Sequence, residues 1–95
     1  MRQYTDLFLK DDKWILEKVR AENKYQQNKW GLQTHSAYEW LTYTAEELGS
    51  LAKAIDEYEY RSVTKERVVS EAIQVATLAL KIAEMYELGG DTDGY

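Results

Sequence analysis

Cysteine and proline are both missing from these 95 residues, and histidine and phenylalanine occur once each. Without cysteine there is no disulfide framework, no thiolate metal site and no Cys–His nucleophilic pair. With His35 alone, a metal centre built on several imidazoles is excluded as well. The lack of proline, together with only five glycines, favours long uninterrupted helices. No Gly-rich phosphate loop is present, which removes P-loop enzymes from contention. Long apolar runs are also lacking: none approaches the ~18 residues of a membrane span. The stretch from Met1 to Lys13 carries Asp6, Asp11 and Asp12 around a short Leu7-Phe8-Leu9 patch, unlike a secretory leader. The expectation is a soluble, cytoplasmic protein without a membrane partner. Basic charge is in deficit too. The net charge of −5 argues against binding a nucleic-acid polymer, which needs a basic surface. Nucleotides stay open, because a bound metal can supply the positive charge.

What is present reads as one all-α domain over residues 1–95, too short for a second. A first helix is predicted from about Arg2 to Lys29, beginning properly only near Asp11 or Asp12, either of which could cap it. Gly31 is placed to end it. Ser36-Ala37-Tyr38-Glu39 has the form of a capping box, in which the Ser hydroxyl accepts from the N3 amide and the Glu reaches back to the cap. The second helix then runs to about Tyr60. After a short connector offering Ser62 or Thr64 as a cap, a third spans about Lys65 to Leu88 and stops at Gly89-Gly90; residues 91–95 read as a frayed tail. The second and third helices, about 24 residues or ~36 Å each, form a long antiparallel hairpin. The third is apolar round most of its circumference between Val68 and Tyr86, more than one hairpin partner and the first helix can cover. A four-helix-bundle core completed by a second copy, as homodimer or tetramer, is therefore expected.

Two carboxylates stand on apolar helix surface. With Leu48 set at zero and 100° per residue, Leu41, Ala45, Ala52 and Ile55 fall within about 60° of it and define a core stripe on the second helix. Glu47 lies about 100° away, beside Trp40, Leu51 and Tyr58. On the third helix Ser70, Gln74, Thr77, Lys81 and Glu84 make one polar stripe. Glu71 lies off it, flanked by Val75, Leu78 and Ile82. A buried carboxylate is normally paired, protonated or holding a cation. Two on neighbouring helices point to a hard divalent ion; ion pairs with Lys53, Lys65, Arg67 or Lys81 are the ordinary alternative.

The run Lys29-Trp30-Gly31, then Gln33-x-His35-Ser36-x-x-Glu39-Trp40-Leu41, Glu46-Glu47-x-Gly49 and Glu71-x-x-Gln74-Val75-Ala76 resembles the MazG-like group of all-α nucleoside triphosphate pyrophosphohydrolases, over roughly residues 22–86. The resemblance implies magnesium, or manganese, held by an E-x-x-E pair on one helix and an E-x-x-D pair on the next. It also implies water attack at the α-phosphorus, yielding a monophosphate and pyrophosphate. Residue by residue, Glu47 matches the first Glu of the first pair and Glu71 the first of the second. Gln74 stands at the Asp position as a third candidate ligand, and Ser50 replaces the second Glu of the first pair. Glu47 and Glu71 are thus the candidate catalytic and metal residues, and Trp30, His35 and Lys53 are candidate contacts to a nucleotide substrate. Lys24 and Lys29 are further phosphate candidates, and Trp40 and Tyr43 further stacking surfaces; core packing or simple solvation is the alternative for each. A rival reading, favoured by Ser50, is a helical protein of this type with weakened catalysis, acting as a nucleotide-binding or dimeric interaction module.

Overall fold

In a computed structural model, residues 11–31, 34–61 and 64–89 are described; the expectations for residues 2–10, Ser62 and the 91–95 tail lie outside them. They form α1 (Lys13–Trp30), α2 (Ala37–Arg61) and α3 (Lys65–Gly89). Each boundary has a local cause. Asp11 Oδ1 accepts from the backbone N–H groups of Lys13, at 2.9 Å, and Trp14, at 3.3 Å, satisfying two of the four orphan donors at the start of α1. Asp12 makes no side-chain cap bond, so of the two predicted caps Asp11 serves. At the other end Gly31 adopts φ +75° and donates its N–H to the Gln27 carbonyl at 2.7 Å. An L side chain rarely adopts that backbone angle. The capping box forms as expected: Glu39 N–H donates to Ser36 Oγ at 3.2 Å and Ser36 N–H to Glu39 Oε1 at 2.8 Å.

α2 and α3 pack as an antiparallel hairpin. Going back along α2 and forward along α3, Glu57 pairs with Arg67 at 3.3 Å, Glu47 faces Glu71, and Trp40 lies under the Lys81 ammonium. α1 packs along α3 and does not approach α2 closely. It runs in the same sense as α3: Lys18 and Ala21 lie by Lys65–Ile73, and Gln26 meets Lys81. Two helices thus stand on a third with a gap between them.

The apolar stripe assigned to the core on α2 is not in the core of this chain. Leu41, Leu48 and Ile55 are 56%, 55% and 45% exposed, and Ala45 and Ala52 are exposed beside them. The face of α2 turned to α3 is instead the one carrying Glu47, Leu51 and Ala54, about 115° round the helix from that stripe. The polar stripe of α3 is likewise inward: Thr77 is buried, its hydroxyl donating to the Ile73 carbonyl at 2.8 Å, and Gln74 and Lys81 are half-buried. Periodicity finds stripes but does not say which stripe meets the neighbour. Among described residues Ala54 and Leu78 are the only buried apolar side chains. The radius of gyration is 15.1 Å, against about 12 Å for a compact domain of this length.

Because the Ser36 hydroxyl satisfies an otherwise orphaned amide, Ser36→Ala should destabilise the protein by about 1 kcal/mol. Thermal melts at one matched protein concentration should show it as a Tm lowered by roughly 4–8 °C.

Candidate functional site

The gap between α1 and α2 is a groove of about 810 Å³, within the ~300–1,000 Å³ range of small-ligand sites. α1 supplies one wall with Glu22, Gln26, Lys29 and Trp30, and α2 the other with Trp40, Tyr43, Glu46 and Glu47. The floor is α3, through Gln74, Leu78, Lys81 and Met85; Thr34 and His35, from the segment between α1 and α2, also line it.

Of the residues singled out in the sequence, Glu47, Gln74, Trp30 and His35 come together on this lining. Glu71 does not line it; it sits against Glu47 across the α2–α3 seam. Lys53 and Lys24 are exposed and lie away from the groove, so neither reaches a ligand bound there in this arrangement. Ser50 is also off the lining, its hydroxyl directed at the Glu46 carbonyl 3.5 Å away.

Glu47 and Glu71 are both half-buried. Burial pushes the Glu47 carboxyl above its ordinary value of 4.5, and the neighbouring Glu71, Glu22 and Glu46 push it further in the same direction. Glu71 Oε2 is buried and receives no hydrogen bond; only if one carboxyl carries a proton can the pair share it. Among the described residues, none of the basic residues proposed as partners pairs with them: Arg67 pairs with Glu57, Lys81 donates to Gln26, and Lys53 and Lys65 are exposed. Such a pair fits a hard divalent cation, for which carboxylate oxygens are the natural ligands. Among the described residues no three acidic or imidazole groups converge to cage an ion. Gln74 sits on the floor with its amide nitrogen 3.5 Å from Ser70 Oγ.

Aromatic rings gather where α2 begins. His35 meets Trp40 and Tyr43 edge-on, with centroids 4.8 and 5.1 Å apart, and Trp40 and Tyr43 are themselves 6.1 Å apart. His35 Nδ1 lies 3.8 Å from Glu39 Oε1, so one carboxylate serves both the helix cap and the imidazole. The Lys29 ammonium stands 5.0 Å from the Trp30 ring centroid and 5.8 Å from that of Tyr25.

Two members of the site carried no functional reading in the sequence. Gln26 is only 4% exposed; its Nε2 donates to Glu22 Oε2 at 2.8 Å, and its Oε1 accepts from Lys81 Nζ. In the sequence Lys81 reads as part of a polar stripe and as an ion-pair candidate for the two carboxylates. The available signal was that stripe's position opposite Val69, Ala72, Ala76 and Ala83, which marks one of the two faces as inward without saying which. Compared with family models, with curated proteins and with solved structures, the chain matches none. The chemistry of the residues carries the functional argument.

The raised Glu47 pKa makes a signed stability prediction. Between 4.5 and the higher folded value, the folded protein binds more protons than the unfolded one, so stability falls as pH rises through that window. Glu47→Gln should therefore raise the Tm of the metal-free protein at pH 7, and the advantage should shrink as pH drops below the window. A Glu47→Gln variant with the wild-type pH profile would show that the two carboxylates do not repel.

Proposed function

We propose that the groove is the active site of a MazG-like, metal-dependent nucleoside triphosphate pyrophosphohydrolase, acting as a homo-oligomer. The observation that carries the reading is the Glu47–Glu71 pair: two half-buried carboxylates on adjacent helices, with no basic partner among the described residues, beside a nucleotide-sized groove. The motif spacing described above agrees with it. In this reading Glu47, on the groove side, and Glu71, behind it, hold the cation, with Gln74 beside them. Magnesium or manganese would supply Lewis acidity and offset charge developing on the phosphates. Glu47, on the groove side, is the carboxylate that would also orient the attacking water. Water adds at the α-phosphorus and pyrophosphate leaves, giving the monophosphate. Trp30 and the His35–Trp40–Tyr43 corner offer ring faces and edges to the base.

A pyrophosphate-release assay over a panel of ribo- and deoxyribonucleoside triphosphates tests the reading. Turnover should require magnesium or manganese and fall by ~10²-fold or more in Glu47→Gln. Magnesium at ~100 times its Kd should stabilise the wild type by about 2.7 kcal/mol, and Glu71→Gln should lose that response. Metal-independent stability together with no turnover on any triphosphate would sink the proposal. Ser50 favours one second reading. Its hydroxyl turns to the Glu46 carbonyl, where the family pattern has a second carboxylate. A groove that binds nucleotide and metal without turnover would fit it.

The oligomer has its own support. Leu41, Ala45, Leu48, Ala52 and Ile55 recur at alternating spacings of four and three, the period of a helix–helix seam, and all are exposed in the single chain. Leu48→Lys should therefore yield a helical species of monomer mass by sedimentation equilibrium, whereas Leu78→Lys, at a position buried within the chain, should unfold it. A wild type sedimenting as a monomer at micromolar concentration would remove the oligomer.

A further inference from the structure

We propose that Lys81 is the cation that receives the phosphate chain of a ligand in the groove, and that Gln26 holds it in place without neutralising it. The proposal rests on reading the groove as a polyphosphate site, and its residues differ from those proposed to bind metal. Lys81 rises from the floor between the two walls, half-buried, with its ammonium 5.2 Å from the Trp40 ring centroid on the α2 side. On the α1 side it donates to the buried amide oxygen of Gln26.

The usual way to fix a lysine at a helix–helix contact is a carboxylate, and one is close by: Glu22, one turn before Gln26. Yet Glu22 and Lys81 form no ion pair among the described residues. Gln26 stands between them, donating to Glu22 at 2.8 Å and accepting from Lys81. An amide in this position fixes the ammonium in direction while leaving its charge uncancelled by a contact ion. One of its three N–H groups goes to Gln26. Burial lowers the Lys81 pKa and the Glu22 charge raises it, and a docked anion would favour the charged form further. The other lysine on the lining, Lys29, is exposed and drawn over two rings, while Lys24 and Lys53 lie outside. The remaining charge on the lining, Glu22, Glu46, Glu47 and Glu84, repels phosphate. A polyphosphate entering beside Glu47 therefore meets Lys81 as the cation fixed on the floor, two turns along the same polar stripe from Gln74.

The test is calorimetric titration of the full chain with inorganic tripolyphosphate in the presence of magnesium, over a series of salt concentrations. Wild type should bind. Lys81→Met should weaken binding tenfold or more and flatten its salt dependence, while Lys81→Arg should keep most of the affinity. Gln26→Glu, near-isosteric, should weaken binding by cancelling the ammonium, and it stands in for Lys81→Met if that variant loses helicity by circular dichroism. A folded Lys81→Met or Gln26→Glu within twofold of wild type, or a wild type that ignores tripolyphosphate, overturns the assignment. Binding through Lys81 without pyrophosphate release from any triphosphate leaves the assignment standing and removes the hydrolase reading. A hydrolase whose KM and tripolyphosphate affinity ignore Lys81→Met removes the assignment alone.

Discussion

The groove depends on α1 resting on α3 without closing against α2. A three-helix chain of this length would ordinarily bring all three helices together round a shared apolar core. Here the α1–α3 contact is made in part by polar groups, with the buried Gln26 amide between Glu22 and Lys81. Those groups must keep their partners, because burying an amide or an ammonium without them costs kilocalories. The hydrogen bonds thus fix where α1 sits along α3, and with it the position of the α1 wall.

The α2–α3 contact has a related character. Glu47 faces Glu71 where a well-packed hairpin would place two aliphatic residues, and the inward face of α3 carries Gln74, Thr77 and Lys81 alongside Leu78. A sequence optimised only for stability would not do this, since like charges at a helix seam oppose folding. Apolar side chains have been displaced to the outside, onto the Leu41–Leu48–Ile55 line of α2. The interior of the single chain is thus chemically specialised, while its hydrophobic surface looks outward.

How much of this was legible in the sequence follows from the range of each interaction. The Ser36–Glu39 box, the Asp11 cap and the Gly31 exit are set by atoms within four residues of one another, and the helix ends read correctly from them. Of the residues singled out through the family resemblance, Glu47, Gln74, Trp30 and His35 lie on one lining, while Glu71 and Lys53 lie off it. The facing of the stripes was not legible. On α2 the aliphatic line and the Glu47–Leu51–Ala54 face are both plausible interiors by periodicity, and the choice is made by the α3 residues opposite. Lys53 shows the same limit: a helix wheel places it on a face but cannot say that the groove opens on the other side. Gln26 left no trace in the pattern, because its role exists only through Lys81, 55 residues away.

A wall held by one neighbour has a thermodynamic consequence of its own. Local opening costs less where few apolar contacts are broken, so α1 is the element whose amides should exchange ahead of those in the hairpin. A ligand that touches both walls draws on that difference. It binds the docked arrangement only, and its free energy is therefore shared between contact and the closing of α1 onto α3. Affinity in such a groove is set as much by how firmly the first helix is moored as by the groups that meet the ligand.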